Sequence, residues 1–252
     1  NTTGDMNIAI GYEALAANTT ADTNVGIGHK ALTSNTTADR NTAIGYQALT
    51  TNTTGNNNIS VGFNSLYANT TGEENTAVGR SVLESNTTGS HNVAIGAYAL
   101  DANTTGLYNV AVGAATLSTN TSGQRNTAVG YAALLVNTGT YNTAVGYASL
   151  YDNTSGENNV AIGSAALANN TTANDNTAVG NQALNSNTTG ANNVAVGSSA
   201  LDANTTGASN TAVGRDALGA NTTGTRNCAF GLNSLSNTTT GTDNSAYGED
   251  SL

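Results

Sequence analysis

A glycine returns every 17 residues from Gly11 to Gly248, with one 16-residue step between Gly130 and Gly146. A fixed short period leaves few choices. Each repeat is too small to bury a core alone, so consecutive repeats must stack as the coils of a solenoid. Four columns barely change across the fifteen copies. Asn stands four residues before each glycine and Leu four after it, as in Asn41, Gly45 and Leu49 or Asn92, Gly96 and Leu100. Ala precedes the glycine by two positions, except at Gly26 and Ser60. Ile or Val precedes it by one, until Phe230 and Tyr247.

The segment Asn92-Val93-Ala94-Ile95-Gly96 alternates as a short strand does. Val93 and Ile95 go to one face and Ala94 to the other. Both faces are apolar or small, so both are expected to be covered. The sequence predicts an interior spine of Leu and Ile/Val, with the Ala face meeting a neighbouring chain. The Gly column is expected at a tight corner where a Cβ would be forbidden. The Asn column is expected to bond amide to amide along the stack. Tyr46–Leu49 reads either as a strand or as one helical turn. The polar Asn-Thr-Thr-Gly that follows is turn chemistry. The predicted fold is therefore all-β, a parallel solenoid of fifteen coils over residues 1–252. At a strand spacing of about 4.8 Å it would be roughly 70 Å long.

Composition removes several function classes. Pro and Trp are absent, Phe occurs twice, and the net charge is −10 with only six scattered basic residues. Nucleic-acid binding needs a clustered basic face, and none is present. No apolar run approaches the length of a membrane span. The chain begins and ends in mid-motif without an initiator Met, which suggests a processed product or a piece of a longer one. Cys228 occupies a column otherwise held by Ile, Val, Thr or Ser and reads as a small packed side chain.

The strand-and-glycine motif, in Asn92–Gly96 and Asn193-Val194-Ala195-Val196-Gly197 alike, resembles the head repeats of YadA-like trimeric autotransporter adhesins. It is also similar to repeats in some bacterial surface proteins and phage tail fibres. The resemblance covers nearly the whole chain. It implies a left-handed parallel β-roll, association of three chains, and a role in surface attachment. The chain departs from the family in its longer repeat and its inserted Asn-Thr-Thr-Gly loops.

Site candidates are few. The triplet Asn-Thr-Thr/Ser, which satisfies the N-glycosylation pattern, recurs in almost every coil, at Asn18, Asn35, Asn52, Asn69, Asn86, Asn103, Asn120, Asn153, Asn170, Asn187, Asn204, Asn221 and Asn237. These either carry a row of N-glycans along one edge or form an unmodified turn ladder. Asp5, Asp22 and Asp39 share a column that could offer oxygen ligands to Ca²⁺ or, more simply, a solvated face. Tyr12, Tyr46, Phe63, Tyr131 and Tyr147 share the column after the glycine, where aromatic rings could stack on sugars, line a seam between chains, or simply pack. Paired threonines such as Thr53-Thr54 raise ice binding, but neighbours on a strand point to opposite sides. His29 and His91 lie in different columns and form no pair. No catalytic constellation, metal site or cofactor motif stands out. The expected role is an extracellular or cell-surface fibre, structural or adhesive, that self-associates as a trimer or end to end and contacts a host surface or glycans. The alternative is a ligand-binding solenoid for glycans or ice.

Overall fold

The computed structural model describes all 252 residues. The chain divides into two compact units, Asn1–Arg125 and Asn126–Leu252. The first holds β1 (Ile8–Ile10), β2 (Val25–Ile27), β3 (Thr42–Ile44), β4 (Ile59–Val61), β5 (Thr76–Val78), β6 (Val93–Ile95) and β7 (Val110–Val112). The second holds β8 (Thr127–Val129), β9 (Thr143–Val145), β10 (Val160–Ile162), β11 (Thr177–Val179), β12 (Val194–Val196), β13 (Thr211–Val213), β14 (Cys228–Phe230) and β15 (Ser245–Tyr247). Within each unit every strand pairs in parallel with its neighbours in sequence, and equivalent residues lie opposite one another, as in Val93↔Val110 or Thr177↔Val194. Each unit is thus a parallel β-solenoid, one strand per coil, and neither contains a helix.

Three residues suffice for a strand because the backbone of every coil bonds in both directions. Val93 N–H donates to Asn109 O at 2.9 Å in the following coil, and Gly96 N–H donates to Val78 O at 2.9 Å in the preceding one. Gly96 then turns the chain at φ +124°, and a Cβ built there would sit 2.6 Å from the Gly113 carbonyl carbon and oxygen. Both the dihedral and the close approach exclude a side chain.

The faces of the strand are the reverse of the sequence expectation. Ala94 and its equivalents point inward and are fully buried, whereas Val93 is half-buried and Ile95 is 41% exposed on the outside. The interior is narrow. At Gly26, in the same column, an added Cβ would lie 3.2 Å from Leu15 Cγ, so a β-branched residue has no room there. The core is therefore built mainly from Ala, Leu and Asn, with a few Ser, Val82 and Thr116 beside them and no Ile. Ser60, also in the Ala column, is accommodated because its hydroxyl donates to Ser65 O at 2.7 Å.

The segment after the glycine is neither a strand nor a helical turn. It is a turn with two left-handed residues per coil, Gln47 at φ 53° and Leu49 at φ 52°, and it recurs as Tyr98 at 57° and Leu100 at 55°. Left-handed backbone is costly for a residue with a Cβ, on the order of 1–3 kcal/mol. Burying a Leu side chain returns about 1.5–3 kcal/mol. Leu49 and Leu100 are wholly buried, and Leu100 N–H also bonds Thr116 O at 2.9 Å in the next coil. The strain is held in place by packing and rung-to-rung hydrogen bonds together. The short coil, Asn137-Thr138-Gly139, omits the outer residue of the polar loop.

Candidate functional site

The asparagines form two internal ladders. In the first, Asn92 N–H and Nδ2 both donate to Asn75 Oδ1 at 3.1 Å, and Nδ2 also reaches Gly106 O at 2.9 Å. Asn41 N–H donates to Asn24 Oδ1 at 2.9 Å in the same way. In the second, Asn52 Nδ2 donates to Asn35 Oδ1 at 3.2 Å and to Gly55 O at 2.9 Å. Desolvating a side-chain amide is tolerable only when its groups are paired, and these ladders pair them coil after coil, leaving Asn41 Nδ2 in the first and Asn221 Oδ1 in the second as the buried exceptions.

The second ladder contains the candidate glycosylation residues. Asn18 is 2% exposed, and Asn35, Asn52, Asn69, Asn86, Asn103, Asn120, Asn153, Asn170, Asn187, Asn204 and Asn221 are fully buried. A glycan on Nδ2 would have to break one internal hydrogen bond at Asn18, to Ala21 O, and two at residues such as Asn35 or Asn52. Asn237 alone is exposed. The ladder also survives the one-residue deletion. Asn137 Nδ2 turns to Gly139 O at 3.0 Å, and Asn153 Nδ2 reaches Asn137 Oδ1 at 2.9 Å.

The two threonines of the loop differ. Thr53 Oγ1 donates to Thr70 O at 3.0 Å, closing a third file of bonds, while Thr54 points to solvent. One hydroxyl of each pair is therefore taken up internally. A continuous outward file of hydroxyl pairs is not formed in this loop.

The acidic column is structural as well. Asp22 Oδ1 accepts Asp5 N–H, and Asp39 Oδ1 accepts Asp22 N–H, each at 2.7 Å. Asn56 Oδ1 continues the pattern to Asp39 N–H at 2.7 Å. Nowhere do three His, Cys, Asp or Glu side chains gather as a metal group.

The aromatic column stacks on itself. Tyr12, His29, Tyr46 and Phe63 lie in successive coils with ring centroids 5.2, 4.9 and 5.2 Å apart. Tyr131 and Tyr147 stack at 5.7 Å. A second column, not singled out from sequence, places His91 over Tyr108 at 4.8 Å, with Glu74 Oε2 3.1 Å from His91 Nδ1. Ring faces within these stacks cover one another, while the end rings Tyr12, Tyr131 and Tyr147 stay 64%, 58% and 61% exposed. The signal for the second column was present in the sequence as His91 and Tyr108 spaced by one repeat, but its variable neighbours hid it.

Few groups titrate unusually. Burial raises the Asp101 carboxyl, and the neighbouring Glu84 adds to that. Burial likewise raises Asp202, helped by Asp216. Asp243 is lowered by its hydrogen bonds to Arg226, at 2.6 and 2.8 Å. Cys228 lies on the outer strand face with its thiol 3.7 Å from the Tyr247 hydroxyl.

What remains open to a partner is the outer face of the strands. In the first unit it carries Ile8, Val25, Thr42, Ile59, Thr76, Val93 and Val110 in one file and Ile10, Ile27, Ile44, Val61, Val78, Ile95 and Val112 in the other. The second unit repeats this from Thr127 and Val129 to Ser245 and Tyr247, ending with Phe230 and Tyr247 stacked at 5.4 Å. Neither file contains a charged residue. No helix is long and apolar enough to cross a membrane. Comparison with family models, with curated proteins and with solved structures gives no match in any of the three.

Proposed function

We propose that this chain is a structural element of an extracellular or cell-surface fibre and self-associates through the outer face of its strands. One observation carries the reading. A double file of uncharged side chains, β-branched up to Thr211 and Val213, runs through consecutive coils of each unit and is left part-exposed, with Ile44 at 38%, Ile95 at 41% and Ile162 at 40%. Monomeric proteins seldom leave long contiguous apolar patches open. The partner that fits best is the same face of another copy. It has the same repeat and no opposing charge, and two such sheets pack about 10 Å apart.

The resemblance to adhesin head repeats supports the same reading and suggests three chains and attachment to a host surface or glycans. Function would then rest on length, stiffness and repeated display of polar loops. This reading requires no catalytic group and no cofactor.

Sedimentation of the purified chain tests it. The wild type is expected to form a defined oligomer, and Val78→Glu with Ile95→Glu is expected to yield a folded monomer. A wild type that stays monomeric at high concentration would remove self-association from the reading. If that monomer also bound in a glycan array or inhibited ice recrystallisation, the chain would instead be a ligand-binding solenoid.

A further inference from the structure

The geometry points to Asn237 as the one N-glycan acceptor among the thirteen candidate loop asparagines; Asn169 and Asn1 also open an exposed Asn-X-Thr, but Asn169 Nδ2 is bonded to Asn185 O at 3.0 Å and Asn1 Nδ2 to Gly4 O at 2.7 Å. The repeat slips here by one residue. In the preceding coils an Asn stands seven residues after the glycine, inside the ladder, whereas in this coil Thr238 stands there and Asn237 falls one place early. The slip leaves a mark on the neighbouring coil. Asn221 Nδ2 still donates to Asn204 Oδ1 at 2.9 Å, but Asn221 Oδ1 is buried without a partner, because Thr238 has no amide to offer it. Asn237 is pushed to the surface, where its side chain makes no hydrogen bond, and Thr239 beside it is exposed too.

Transfer needs an accessible amide nitrogen, followed two residues later by a hydroxyl. Asn237-Thr238-Thr239 supplies both on the outside of the coil. The other twelve candidates hold their amides inside, with a relative exposure of 2% or less. In the reaction Asn237 Nδ2 attacks C1 of a glucosyl unit carried as UDP-glucose. The C1–O bond to the diphosphate breaks, UDP leaves, and the amide loses one proton to solvent.

The folded protein would be incubated with a soluble N-glycosyltransferase and UDP-glucose, then digested and mapped by mass. One hexose on Asn237 and none on the ladder asparagines is expected. The same enzyme acting on the denatured chain should modify ladder positions as well. The decisive variant combines Asn237→Ser with Thr238→Asn. It keeps an Asn-Thr-Thr triplet but moves it one place, into the ladder. It is expected to fold and to take no hexose in this coil. No transfer to the folded wild type, transfer to ladder asparagines, or undiminished transfer to the shifted triplet would each overturn the assignment.

Discussion

Asn69 Nδ2 lies 2.9 Å from Asn52 Oδ1 in the preceding coil and 2.9 Å from Gly72 O in its own, while its Oδ1 accepts Asn86 Nδ2 at 2.8 Å. One side chain, wholly buried, thus closes three bonds across three coils. Asn69→Asp would remove both donors and place a charge where nothing compensates it. It is expected to cost about 3–5 kcal/mol. Thr71→Ala, two residues away on the exposed side of the same loop, is expected to stay within about 0.5 kcal/mol of wild type. Denaturant titration of the two variants checks the contrast. Equal effects would mean that the ladder adds nothing beyond the turn.

The strand-ending glycine and the loop glycine are not equivalent. Gly96 has φ +124°, with the Gly113 carbonyl 2.6 Å from any added Cβ. Gly96→Ala is expected to cost about 3 kcal/mol or more. At Gly55 an added Cβ would also meet backbone, at Gly72 O, but the dihedral is ordinary and the same column holds Ala38, which is 1% exposed. The surrounding coils therefore yield to a methyl there, and Gly55→Ala should cost distinctly less. Paired thermal melts would show the order, and a reversed order would contradict the corner assignment.

The period, the strand boundaries and the parallel stacking were legible because they follow from spacing. Asn92 through Gly96 reads as a strand in the sequence, and its central residues Val93–Ile95 are one in the fold. Which face of it lies inward was not legible. Alternation separates Val93 and Ile95 from Ala94 but does not say how wide the interior is, and the answer depends on Leu entering from the opposite wall, as Leu15 does beside Gly26. The conformation of Leu100 was hidden for a different reason. Leu ordinarily avoids left-handed backbone, so no local preference announces φ 55°. The one-residue slip at Asn237 was legible in the sequence, but that it takes this asparagine out of the ladder and onto the surface was not.

Left-handed strain should be releasable where nothing is buried. Gln182 has φ 57° and an exposed side chain, and its N–H bonds Ser164 O at 2.9 Å. Asn tolerates this region better than Gln does. Gln182→Asn keeps the backbone bond and is expected to stabilise the unit by up to about 1 kcal/mol. Leu100→Ala relieves no strain and empties the core, at an expected cost of about 2–5 kcal/mol. Chemical denaturation measures both. A destabilised Gln182→Asn would show that this position carries no strain.

Asp101 provides a pH signature that, among the other carboxylates, Asp202 shares. Asp101 Oδ1 is buried without a hydrogen-bond partner, and burial first, then Glu84, raises its carboxyl above the usual range. A carboxyl raised on folding favours the protonated state. Its contribution is therefore most favourable in acid and is lost as pH rises through the raised folded value. At neutral pH the ionised Asp101 is a liability. Asp101→Asn removes that charge at nearly constant shape, so it is expected to raise stability at neutral pH. The gain should shrink steadily as pH falls and vanish once the wild-type carboxyl is protonated in both states. Asp243 behaves oppositely. Its bonds to Arg226 lower its carboxyl, so whatever it contributes is lost as pH falls, and its full exposure keeps that contribution small. Denaturation midpoints of wild type and Asp101→Asn across the acid range decide the matter. A difference that stays constant with pH would mean that the substitution acts through packing rather than through charge.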